Sequence, residues 1–167
     1  MINQTNTLFV FVASVLVFFM TPGLAFFYGG MVSKKNAVNT MISVFMITGV
    51  AIVLFIAFGY NLAFGKDVGG IFGFSKSFFL NGFDLKSLYS KDSGITILTY
   101  LMFQMMFSII TPALFVGAIV GRMKFKFLVA FVVIWSILIY YPMVHMVWDN
   151  GLLAKLGVID FAGGTVV

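Results

Sequence analysis

Apolar residues run through this chain in four long blocks separated by polar joints. Leu8–Tyr28, Met41–Phe64, Ile95–Val120 and Phe127–Val147 are almost continuously hydrophobic. Each is long enough to cross about 30 Å of hydrocarbon as a helix rising ~1.5 Å per residue. A fifth apolar stretch opens at Phe161 and runs to Val167. The pattern predicts an all-α integral membrane protein, a polytopic helix bundle of about four spans (8–28, 41–64, 95–120 and 127–147) plus the start of a fifth (161–167). Residues 1–167 are read as one membrane domain. The first block is no secretory leader, because MINQTNT ahead of it carries no Lys or Arg and the block is too long.

Composition narrows the class. Hydrophobic residues make up 62% and charged residues 9% of the 167, and mean hydropathy is +1.12. A soluble domain of this length has too much surface for its volume to hide so much apolar area. There is no cysteine and no glutamate, and His145 is the single histidine. That excludes disulfides and thiolate metal sites, and most acid–base constellations. Ser75 and Ser77 lie in a connecting loop without a paired base, so no hydrolase set exists and the chain reads as a non-enzyme with no cofactor or metal. The net charge of +5 comes from ten Lys/Arg. They sit mainly in connecting loops without interleaved aromatics, which argues against nucleic acid and for topology signals.

Those charges orient the bundle. Met31–Thr40 holds Lys34 and Lys35 without an acid, and Gly121–Lys126 holds Arg122, Lys124 and Lys126 without an acid. The 30-residue Gly65–Gly94 connection has four lysines but also three aspartates. Short loops weigh most in the positive-inside rule, so the first and third loops are expected in the cytoplasm. The N-terminus and the long loop are then outside. The long loop is rich in Gly, Ser and Asn and reads as an exposed connector with short helical turns.

Several residues inside the spans matter more than their neighbours. Pro22 and Pro112 each remove a backbone donor and are expected to bend their helices. Ala113, Gly117 and Gly121 form a small-residue stripe that admits a close neighbouring helix. Gln104 and Ser108 share one face of the third span, and Phe103 and Phe107 share an adjacent one. Polar groups at membrane depth belong against protein or a water-containing cavity. The phenylalanine pair is either ordinary packing or pore lining, stacked about 6 Å apart along the axis and about 12–18 Å below the outer end of the helix. Trp148 falls at the outer boundary, as a belt anchor or as a ring face for a small cation. Trp135 reads as packed. Asp160 reads as a helix-start cap, and WDNGLL around Asp149 and Asn150 as a turn. His145 is either a satisfied packing residue or part of a proton path.

Three stretches carry a resemblance. PGLAFFYGGMVSKKN, FQMMFSIITPALFVGAIVGRMKF and HMVWDNGLLAKLGVIDFAGGTVV, in this order and spacing, resemble the ammonium transporter (Amt/Mep/Rh) family nearly end to end. The resemblance implies the N-terminal half of an inverted-repeat fold, in a homotrimer in the plasma or inner cell membrane. It implies transport of ammonium/ammonia, and of methylammonium, with Trp148, Phe103 and Phe107 recruiting the cation outside. Phe107 would also serve as one half of a stacked pore gate, and Asp160 as structural support of the site. His145 is not one of the family's pore histidines. A PII-type regulator is expected at the cytoplasmic loops Lys34–Asn36 and Arg122–Lys126, and lipid bilayer around the helices.

The same resemblance exposes a gap. The first pore histidine would follow GGTVV, and the second belongs to helices beyond Val167. The chain therefore reads as a truncated transporter. The alternative is a non-conducting membrane fragment or an assembly partner of a complementary half.

Overall fold

The computed structural model describes residues 2–75, 78–90, 92–119 and 121–167; Ser77 and Val120, which end or border sequence-predicted features, lie outside them. Among the described residues, four helical rods are long and apolar enough to cross a membrane: Gln4–Met31, Lys34–Phe64, Ile97–Ile119 and Phe125–Lys155. The first rod, α1, starts earlier than its apolar block. Asn3 caps it by accepting from the Asn6 amide, so the polar MINQTNT segment is helix start as well as tail. The second begins at Lys34 and contains α2 (Lys34–Leu54), a π-helical turn (Phe55–Gly59) and α3 (Tyr60–Phe64). The third is α4 (Ile97–Ala113) followed, after Leu114, by α5 (Phe115–Ile119). The fourth contains α6 (Phe125–Trp135), a second π-helical turn (Ser136–Tyr140) and α7 (Tyr141–Trp148), with the short α8 (Leu152–Lys155) after it.

The two prolines behave differently. α1 continues through Pro22, whereas the helix after Pro112 is only loosened at Leu114, which keeps helical dihedrals (φ −61, ψ −30) and whose amide is shared between the Ile110 and Thr111 carbonyls. Residues 161–166, read from sequence as the start of a span, form turns. The long connection is also more ordered than a bare linker. It contains a tight hairpin of β1 (Asp67–Val68) and β2 (Phe72–Gly73), antiparallel with Val68 opposite Phe72.

The chain divides into two compact units, 1–52 with 83–125 and 53–82 with 126–167. In the first unit α1 packs along α4. Its N-terminal end is tied to the loop before α4, where the Asn3 amide donates to the Gly94 carbonyl (2.9 Å) and Asn6 Nδ2 to the Ser93 carbonyl (2.7 Å). Its other end is tied by Tyr28, whose hydroxyl donates to the Leu114 carbonyl at 3.1 Å. Gly117 makes that approach feasible, since a Cβ there would sit 2.5 Å from the Tyr28 ring. The expected small-residue stripe thus receives a tyrosine.

In the second unit the two π turns touch. In each, an i→i−5 bond (Tyr60 amide to Phe55 carbonyl, Tyr141 amide to Ser136 carbonyl) slips the register by one residue. Gly59 then faces the buried Tyr141 ring, with 2.5 Å left for any Cβ. Phe55 borders the same ring at 6.2 Å between centroids. Gly59→Val should overpack this contact and destabilise the second unit by about 1–3 kcal/mol. The midpoint of thermal unfolding in detergent should fall accordingly, and an unchanged midpoint would mean that Tyr141 has room to move.

Candidate functional site

The third rod carries its polar side chains inward. Gln104, Ser108 and Thr111 are buried, and the hydroxyls are satisfied within the helix: Ser108 donates to the Met105 carbonyl at 2.8 Å and Thr111 to the Phe107 carbonyl at 2.7 Å. Thr96 caps the helix start by accepting from the Thr99 amide at 3.2 Å. Phe103 and Phe107 are half-buried on the neighbouring face. Their rings are 5.0 Å apart and perpendicular, not stacked as expected from their axial spacing. An edge-to-face arrangement puts the positive ring edge of one against the negative face of the other, which a parallel sandwich forbids.

Farther along the same unit, α1 and α5 leave a cavity of about 470 Å³ between them. Phe27, Tyr28, Leu114, Gly117 and Arg122 are among its walls. No sequence argument singled out Tyr28 or Leu114; the Pro112 signal predicted a bend but not the side chains the bend would expose.

Trp148 and Asp160 meet in the second unit. The Trp148 indole Nε1 donates to Asp160 Oδ2 at 2.8 Å, and Asp160 Oδ1 accepts from the Thr165 amide at 2.9 Å. Asp160 therefore holds the turn of residues 161–165 with one oxygen and the indole with the other. Partial burial pushes its carboxyl up, but the Thr165 amide and the indole N–H outweigh that and hold it below the usual value. Trp148 ends α7, remains partly exposed, and is followed by Asn150 at φ 58, a left-handed residue that closes the helix. Trp135 stacks on Tyr140 at 5.9 Å, as packing predicts. Phe103 and Phe107 belong to one unit and Trp148 and Asp160 to the other.

An ionic cluster that the sequence did not reveal lies one turn before Trp148. His145 is fully buried. Its Nδ1 is 3.0 Å from the Ala63 carbonyl and 3.4 Å from Asp149 Oδ2, and its Nε2 is 3.2 Å from Asp67 Oδ1. Lys155 Nζ bonds the other Asp67 oxygen at 2.9 Å. Lys155, then the His145 ring, then the Gly70 amide hold the Asp67 carboxyl down to about 2. Of the two alternatives open for His145, the satisfied buried residue is the one seen. Ser75 bonds Asn61 through both its amide and its hydroxyl, each at 2.7 Å, which occupies it structurally.

Four membrane-length helices among the described residues define a polytopic helical membrane protein. The chain belongs to the Ammonium Transporter Family, whose sequence model matches residues 8–167. It is 45% identical to the ammonium transporter of Aquifex aeolicus over 99% of its length, and 40% identical to that of Bacillus subtilis over 97%. The crystal structure of Candida albicans Mep2 superposes with a TM-score of 0.86 at 30% identity over 98% of the chain. The chain spans 39% of the Aquifex protein, 40% of the Bacillus protein and 36% of the Mep2 chain.

The Asp67 carboxylate gives a pH prediction. Its folded value, about 2, lies below the ordinary 3.8, so its contribution is complete above about pH 4 and disappears as pH falls through about 2. Amide exchange of Leu152, which the hairpin holds through the Gly70 carbonyl at 2.7 Å, should accelerate across that window. Exchange that is flat with pH, after correction for its intrinsic dependence, would disconnect the carboxylate from the hairpin.

Proposed function

We propose that this chain supplies the outer recruiting site and the first gate of a channel-like conductor of ammonium/ammonia. Ammonium gathers at the face of Trp148 and crosses as neutral ammonia through a hydrophobic pore bordered by Phe103 and Phe107, its proton either passing to water outside or following separately. The observation that carries the reading is the Trp148–Asp160 bond of 2.8 Å in a member of this family. It fixes the indole plane at the end of a membrane helix, where a cation approaching from water meets a ring that need not reorganise.

The energetics favour that division of labour. Stripping water from an ion in an apolar constriction costs several kcal/mol even after relaxation. Neutral ammonia avoids most of that cost, whereas potassium has no proton to lose. Asp160 acts in this reading as a support for the ring and turn. The short basic loops put the N-terminus outside and Lys34–Asn36 and Arg122–Lys126 in the cytoplasm, where a PII-type regulator would dock. Homotrimeric assembly in the plasma or inner membrane, methylammonium as a second substrate, and surrounding bilayer lipid complete the proposal.

A second reading is a non-conducting assembly partner of a complementary half. The exposed apolar side of α1 favours it, with Leu8, Phe9, Leu16 and Phe19 each more than three-fifths uncovered. Methylammonium uptake in proteoliposomes separates the two. The chain alone is expected to give no flux. The chain joined to the remaining helices of a full-length relative is expected to conduct, and silence there would end the transport reading.

Within the conducting form, Trp148→Leu should weaken apparent affinity about 2- to 30-fold, the span of about 0.5–2 kcal/mol for an aromatic–cation contact. An unchanged concentration dependence would return Trp148 to the role of interface anchor. Phe107→Ala should change the maximal rate, and an unaltered rate would reduce the phenylalanine pair to packing.

A further inference from the structure

We propose that Asp67, His145, Asp149 and Lys155 form a charge-neutral latch, with His145 carrying a proton on both ring nitrogens, that positions Trp148 through the backbone on either side of it. The inference rests on the reading of Trp148 as a recruiting ring for its functional meaning, but not for its chemistry.

Hydrogen-bond accounting carries the chemical part. Nδ1 faces the Ala63 carbonyl at 3.0 Å and Asp149 Oδ2 at 3.4 Å; Nε2 faces Asp67 Oδ1 at 3.2 Å. All three neighbours are acceptors. A neutral imidazole has one N–H and one lone pair, so one nitrogen of this fully buried ring would point electrons at an oxygen. An imidazolium donates in both directions. Charge balance agrees, since two carboxylates, one imidazolium and the Lys155 ammonium sum to zero. Asp67, Asp149 and Lys155 are the charged groups that meet this cluster among the described residues.

The structural part follows from what the cluster joins. Asp67 opens the β1–β2 hairpin, and its Oδ1 also accepts from the Gly70 amide at 2.7 Å. The Gly70 carbonyl then accepts from the Leu152 amide at 2.7 Å. His145 precedes Trp148 on α7, and Lys155 and Leu152 follow it on α8. The hairpin is thus fastened to the chain on both sides of Trp148. Gly151 completes the seat: a Cβ there would lie 2.6 Å from the His145 carbonyl and 2.8 Å from the Gly70 carbonyl. His145 and Asp67 are positioning residues, reaching the ring through the backbone that bears it.

The single histidine makes the test direct. The chain labelled with ¹⁵N-histidine and held in lipid nanodiscs yields one imidazole spectrum. At pH 7 both nitrogens should resonate as protonated, and Asp67→Asn should convert the ring to a neutral form with one bare nitrogen. In a Trp135→Phe background, where Trp148 alone emits, Asp67→Asn should shift emission to the red and lower its anisotropy. Lys155→Ala, a milder change at the exposed end, should shift it in the same direction by less. A single neutral tautomer in the unsubstituted chain overturns the latch, and needs no variant to fold. Emission unmoved by both substitutions overturns the positioning role. Methylammonium added to the same sample probes the other reading separately: a doubly protonated ring with emission insensitive to methylammonium leaves the latch standing and removes the recruiting site.

Discussion

Hydrocarbon offers no hydrogen-bond partner, so each polar group carried into it must find one within the protein. The hydroxyls do so in the cheapest way open to them, by turning back onto their own helix. Ser14 donates to the Val10 carbonyl, Thr40 to Asn36, Ser43 to Asn39, Thr48 to Val44 and Thr111 to Phe107, all at 2.7–3.0 Å. A hydroxyl satisfied in this way makes no demand on a neighbouring helix, which leaves contacts between rods to small residues and rings. Thr21 is the exception. Its buried hydroxyl has no partner among the described residues, and Pro22 beside it removes the amide that would have served the Phe18 carbonyl.

Once polar groups are satisfied locally, the helices are free to break where their neighbours require it. The π turns at Phe55–Gly59 and Ser136–Tyr140 each add one residue to a turn and rotate everything beyond it by about 100°, the angle of one helical residue. α3 and α7 lie beyond those slips, and they carry Ala63 and His145 into register. The interruption at Leu114 is slighter: its amide still reaches the Ile110 carbonyl at 3.2 Å, while its own carbonyl accepts from the Tyr28 hydroxyl. Interruptions and the contacts that repay them come in pairs.

How far the sequence reveals this depends on the range of each interaction. The rods are legible because hydrophobic length is a property of one segment, and Gln104 and Ser108 point inward because a four-residue spacing fixes a shared face. Asp160 is legible as an acceptor for nearby backbone amides, but the segment it holds is a turn and not the helix start expected, and its bond to Trp148 has no signal in the intervening residues. The His145–Asp67 contact spans 78 residues, and its hairpin has strands of two residues each, too short to leave an alternating pattern. The π turns are invisible for another reason: a slip of one residue inside a uniformly apolar run changes no hydrophobic count. The Phe103–Phe107 geometry shows the limit within one helix. Spacing places two rings side by side, while their quadrupoles decide the angle between them.

The contrast between the two units bears on what an aromatic cation site needs. In the first unit, polar groups along the rods are settled mostly by short-range bonds, and the Phe103 and Phe107 rings meet edge to face at 5.0 Å. In the second unit the indole is bonded to a carboxylate, its turn is closed by a left-handed Asn150, and ionic contacts fasten the hairpin around it. The attraction between a cation and a ring is about 0.5–2 kcal/mol, small enough that ordering a loose indole on each encounter would consume much of it. A ring ordered in advance keeps that attraction for the ligand. In the proposed recruiting role, the bond to Asp160 and the contacts that fasten the chain on either side of Trp148 supply that order.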